Sequence, residues 1–204
     1  MNKKQIRAGE LLARLNADPE WVAARAVEEE KRQKLDAEYR EAEIPLVQAL
    51  LRVGIKVSSA WDLVGTSTPY PAALPVLLEH LKRPYPSAVR EGIARALAVP
   101  DAKFGWETLA RLFREESEKR VKDGLAAAIG VVADDSVMDE TISLAEDKRL
   151  GSSRVLLLRA LANSRKPEVY EALRRLRSDP DLRIEVQRIL RYRQAGQNSD
   201  RARK

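Results

Sequence analysis

Apolar side chains follow a cation at the same three offsets four times along the chain. After Arg90 come Ile93, Ala96 and Leu97; after Lys122 come Leu125, Ala128 and Ile129; after Arg154 come Leu157, Ala160 and Leu161; after Arg183 come Val186, Ile189 and Leu190. The cations stand 32, 32 and 29 residues apart. Offsets of three, six and seven mark one face of a helix. Each of these predicted helices follows another. Leu74, Leu77, Leu78 and Leu81 share a face in the first unit, Trp106, Leu109 and Phe113 in the second, Met138 and Ile142 in the third, and Tyr170 and Leu173 in the fourth. Pro84 and Pro86 break the first pair, Pro100 and Asp101 separate it from the second, Pro167 opens the last, and SDPD at 178–181 reads as a turn and a helix start.

No segment sustains the period-two alternation of a strand, so the expected class is all-α. A helix pair of about 32 residues cannot bury both of its faces alone, and stacking copies makes one continuous core, which is the logic of an α-solenoid. Residues 1–65 fit the period less well and are expected to form an N-terminal helical cap. Within it, Ala8, Leu11, Leu12 and Leu15 place a helix over 3–15, and Asp18-Pro19-Glu20 reads as the cap of a long helix. EEEKRQK at 28–34 lacks apolar side chains and offers the i, i+4 pairs Glu28 with Arg32 and Glu30 with Lys34. Leu35, Tyr39, Ala42 and Leu46 resume a stripe, which Pro45 is expected to kink or restart. VSSAWDLVG at 57–65 reads as a short capped helix, and 44–65 as a degenerate capping repeat. The expected organisation is a cap over 1–65, repeats over 66–193 and a flexible basic tail over 194–204.

The stretch ALPVLLEHLKRPYPSAVREGIARALA resembles a HEAT repeat: Pro75 lies in the first helix, a polar turn follows, then come the Val89-Arg90 pair and Ala94, Ala96 and Leu97. SDPDLRIEVQRIL is similar to the same turn and second helix. The resemblance covers about residues 69–193 and leans toward the short bacterial HEAT-like units of phycobilisome-lyase-type repeats. It implies a right-handed solenoid of about four helical pairs, a non-catalytic interaction scaffold, and a concave face lined by the second helices. Lys122 departs from the arginine of the pattern, and Gly151-Ser152-Ser153 stands where an acidic turn is common.

Composition narrows the picture. With 204 residues, 44% of them hydrophobic, the chain is long enough for one domain or one short repeat array. There is no cysteine, so neither a disulfide framework nor a thiolate zinc site is possible. The start MNKKQIRAGELLARL lacks the apolar run of a signal peptide and GLAAAIGVVA at 124–133 is about half a membrane span, so a soluble cytoplasmic protein is expected. The net charge of +6 is local: residues 174–204 hold ten Lys plus Arg against four Asp plus Glu, and the remainder is neutral. A basic end of this kind reads as a solvated terminus, because nucleic-acid-binding domains carry a basic face.

The chemistry-bearing residues are few. His80 is the one histidine, next to Glu79, and is expected at the surface. No catalytic residue, cofactor or metal is expected. Gly92 and Gly124 recur at one column inside helices and point to close helix packing. Asp134, Asp135 and Asp139 lack the spacing of a calcium loop and read as helix-start acids. Two rows of cations remain. Arg90, Lys122, Arg154 and Arg183 form a ladder expected to bridge neighbouring repeats through carbonyls or acids. Arg95, Arg159 and Arg188 form a second row, broken by Ala127, and are the candidates for contact with a protein partner. The alternative reading is a nucleic-acid-binding or HEAT-like DNA glycosylase-type repair protein, for which Trp61, Asp62 and Trp106 offer the aromatics and the carboxylate.

Overall fold

The computed structural model describes residue 9 and residues 15–201, with side chains over 15–195 and at residue 9. Among the described residues every regular element is helical, and none is a strand. The chain divides into two compact units, Met1–Ala42 and Glu43–Lys204. Most of the helix expected over 3–15 lies outside the described residues.

The described part of the first unit is dominated by the start of helix α1, Pro19–Arg52. Asp18 Oδ1 accepts from the amides of Glu20 (3.0 Å) and Trp21 (3.4 Å), which satisfies two of the orphan donors at the helix start. From Val22 to Glu38 the side chains are almost all exposed, and ion pairs link neighbouring turns: Glu28 with Lys31 (2.9 Å), Glu29 with Arg32 (2.7 Å) and Glu30 with Lys34 (2.7 Å). The expected Glu28–Arg32 pair is replaced, because Glu29 takes Arg32 one place nearer.

The second unit begins at Glu43, and residues 43–65 pack into it. Leu46 and Leu50 are fully buried, as are Ala60 and, nearly so, Leu63. The Glu43 carboxylate, 3% exposed, accepts from the Ala60 amide (2.6 Å) and the Ser59 hydroxyl (3.2 Å). That bond fixes a 3₁₀ turn at Ala60–Leu63, closed by a capping box between Ser59 and Asp62. Pro45 neither ends nor restarts α1, which runs through it. Buried Glu43, Leu46 and Leu50 hold the helix on both sides of the missing amide.

Four helix pairs follow. Helix α2 (Leu74–Leu81) precedes α3 (Ser87–Ala96), and α4 (Trp106–Glu115) precedes α5 (Lys119–Val132). Helix α6 (Met138–Glu146) precedes a 3₁₀ segment, Ser152–Leu157, that continues into α7 (Leu158–Asn163). The last pair is α8 (Pro167–Leu176) and α9 (Arg183–Arg201). Residues 194–201, expected as tail, therefore continue the last helix. Each first helix packs on its own second helix, and the second helices pack in succession: α3 on α5, α5 on the 3₁₀ segment and α7, and α7 on α9. Ile93, Leu125, Leu157 and Val186 are fully buried, and the columns after them are buried except at Leu190, which is half-buried.

The third pair departs from the expected continuous helix over SRVLLLRALA. Gly151, at φ 74°, supplies the turn but no capping side chain. The Arg154 side chain then takes the Gly151 carbonyl (2.8 Å), and the segment winds as a 3₁₀ helix before relaxing into α7.

Glycine sets the closeness of the second helices. A Cβ on Gly124 would lie 3.1 Å from the Glu91 carbonyl oxygen and 3.0 Å from the Ala94 methyl, so α3 and α5 meet almost backbone to backbone. A Cβ on Gly130 would collide with the Leu156 carbonyl oxygen. At Gly92 the obstacle is the Trp61 indole, whose Nε1–H donates to the Ala88 carbonyl (3.2 Å). Gly130→Ala is expected to lower stability by about 2 kcal/mol through overpacking against backbone, despite the roughly 1 kcal/mol that alanine gains in helix propensity. Gly92→Ala is expected to cost clearly less, since the obstacle is a side chain, 39% exposed, that can turn away at the loss of one hydrogen bond. Urea denaturation of the two variants tests this, and a larger loss in Gly92→Ala would refute it.

Candidate cationic groove on the second helices

The first cation row does not share one environment. Arg90 Nη2 pairs with Glu116 Oε2 at 2.6 Å, across to the turn after α4. The Lys122 ammonium stands 5.6 Å from the Phe113 ring centroid, a cation–π contact within its own pair. Arg183, the first residue of α9, is exposed, and its side chain has no ion pair among the described residues.

Arg154 is the exception in depth, at 1% exposure. Its Nη1 donates to Ala145 O (2.9 Å) and Asp179 Oδ2 (2.9 Å), its Nη2 to Asp179 Oδ1 and Asp181 Oδ2 (3.4 Å each), and its Nε to the Gly151 carbonyl. Asp179, 3% exposed, also accepts from the Asp181 amide at 3.0 Å. Burial alone would push the Asp179 carboxyl up. The hydrogen bonds from Arg154 and the Asp181 amide, with the charge of Arg154, outweigh it and hold Asp179 below the usual aspartate range.

The second row is divided. Arg95 Nε is held by Glu91 Oε1 (2.9 Å), and the other oxygen of the same buried carboxylate takes Arg120 Nε (2.9 Å), so Arg95 serves an α3–α5 bridge. Arg159 and Arg188 instead share a groove of about 820 Å³, and Ala127 lines it too. Its floor is apolar, made by Val155, Leu156 and Ile189. Arg188 is clamped by Glu185 through Nε (2.9 Å) and Nη2, bonds that raise its own affinity for its proton. Arg159 is exposed and makes no hydrogen bond or ion pair among the described residues.

Two groove residues escape the repeat pattern: Tyr192 and Arg193. Tyr192 stands at the rim, 71% exposed. Arg193 Nη2 donates to the carbonyls of Leu161 (2.6 Å), Ala162 (3.2 Å) and Ser164, the orphan acceptors at the end of α7. Burial pushes its guanidinium below the usual arginine range. No repeat column carries a cation at this place, so the only signal in the sequence is the density of arginines near the chain end.

Other residues singled out in the sequence lie elsewhere. His80 is buried, 4% exposed, rather than at the surface. It shares the face of Leu77 and Leu81, and its Nδ1 is 2.7 Å from the Tyr85 hydroxyl in a stacked pair. Burial, with Arg83 nearby, lowers its pKa and favours the neutral ring. Asp62 accepts from the Ser58 and Ser59 amides, and Trp106 is buried with its Nε1 unpartnered. Asp134 caps the turn at Ser136, and Asp135 accepts from the Ser164 hydroxyl (2.7 Å). Among the described residues no group of His, Asp and Glu is placed to hold a metal, and no helix is long and apolar enough to cross a membrane.

The chain matches no protein-family model, no curated protein and no solved structure.

Removing the Arg154 charge leaves Asp179 buried without its partner, so Arg154→Met is expected to cost about 3 kcal/mol or more. Asp179 holds its proton less tightly folded than unfolded. The contribution of the pair is therefore complete above the unperturbed aspartate pKa of about 3.9 and is lost as pH falls through the lower folded value. Denaturation of both proteins from pH 7 downward measures this, and an Arg154→Met penalty that does not shrink in acid would contradict it.

Proposed function

We propose that this protein is a non-catalytic cytoplasmic scaffold, a right-handed α-solenoid of four HEAT-like helical pairs behind an N-terminal cap, which holds a protein partner on the concave face formed by its second helices. The observation that carries this reading is the groove between the third and fourth pairs. It joins an apolar floor to arginines and an exposed tyrosine, the mixture of residue types that protein interfaces concentrate. The successive packing of α3, α5, α7 and α9 supports it, since stacked second helices present one extended surface.

A repair-type reading needs aromatics and a carboxylate facing a basic groove. Trp61, Asp62 and Trp106 are engaged in packing and capping, and none lines the cationic groove.

The test is capture from native host lysate by the immobilised full chain, with and without nuclease. At least one protein is expected to remain after digestion, and charge reversal at Arg159 and Arg188 is expected to reduce its retention. Loss of all bound material on digestion would transfer the assignment to nucleic acid.

A further inference from the structure

The groove distinguishes its cations by how far each is already committed. Arg188 gives Nε and one terminal nitrogen to Glu185, and Arg193 gives Nη2 to three carbonyls. Arg159 has given nothing among the described residues, and it stands beside Leu156, half-buried, and Ile189, 6% exposed. A free planar guanidinium is matched in shape and charge by one carboxylate, which it takes through two parallel hydrogen bonds. An apolar floor next to it gains from burying an aliphatic or aromatic side chain. At about 820 Å³ the space suits a few side chains rather than a whole folded surface.

Resting on the scaffold reading above, we propose that this groove recognises a short acidic peptide segment: one Asp or Glu side chain on Arg159, with a neighbouring aliphatic or aromatic side chain on the floor of Leu156 and Ile189 and under the edge of Tyr192. A run of phosphates fits less well. Polyanion binding grows with the number of phosphates neutralised, whereas here Arg159 is the one groove arginine left uncommitted among the described residues, and Glu185 places a negative charge in the wall.

The experiment is selection of a displayed library of random dodecapeptides on the full-length protein, followed by fluorescence anisotropy with the best peptide. Enriched sequences should carry Asp or Glu within one helical turn of Leu, Ile, Phe or Tyr. Arg159→Gln should weaken the best peptide about tenfold or more, with Arg159→Lys in between. Arg159 is exposed and has no partner among the described residues, so both variants should keep the wild-type circular dichroism and melting temperature, which separates lost binding from lost folding. No enrichment, enrichment indifferent to Arg159, or a single-stranded oligonucleotide that binds as well and with the same Arg159 dependence would each overturn the proposal. So would a dimer that dissociates on Arg159→Gln, which would assign the groove to a second copy. If peptide selection fails while nuclease-resistant protein capture persists, the groove assignment falls and the scaffold reading stands.

Discussion

A guanidinium that is 1% exposed needs every donor answered, and the second half of the structure is organised around answering Arg154. The answer comes from two directions. Gly151 and Ala145 supply carbonyls from its own pair, and Asp179 and Asp181 supply carboxylates from the turn of the next. Charges cannot be buried at this depth without such pairing. The turn that carries Asp179 is therefore held against the third pair, and the start of α9 is held with it. Arg90 and Glu116 repeat the connection higher in the chain at a shallower level. Beyond the held turn, Arg188 on α9 and Arg159 on α7 line one groove.

One column changes its residue at the groove. Two places after the ladder cation the chain carries Gly92, Gly124, Leu156 and Glu185. The first two admit an indole and a neighbouring backbone. The third pair regains closeness through Gly130 on the facing helix. Glu185 has no such counterpart, and the gap beside it is where the apolar floor and the arginines are exposed. Close packing and an open groove are thus alternative uses of the same position.

How far the sequence reveals this depends on periodicity. The four helix pairs, the buried columns and the glycine contacts repeat, and repetition makes them readable. Arg154 is a ladder member whose depth no spacing indicates, because it is decided by acids 25 and 27 residues away. His80 reads as surface beside Glu79, yet Tyr85 folds over it from a turn whose geometry the apolar pattern does not specify. Pro45 reads as a kink or restart, yet the helix runs through it with Leu46 and Leu50 buried. Of the second cation row, Arg159 and Arg188 do meet in one groove, while Glu91 draws Arg95 away. Tyr192 and Arg193 occur once and leave no column to read.

The change of winding at Ser152–Leu157 decides which way two arginines of one element look. At about three residues per turn, Arg154 lies in line with Leu157, which is why a cation can occupy the azimuth of a core leucine. Beyond Leu157 each residue advances by about 100° instead of about 120°. From 154 to 159 the rotation comes to about 200° beyond one full turn, close to diametric opposition. One segment thereby turns one arginine to the interior as a fastening and the other to the groove, with about two turns of tightened backbone leading into the change of direction.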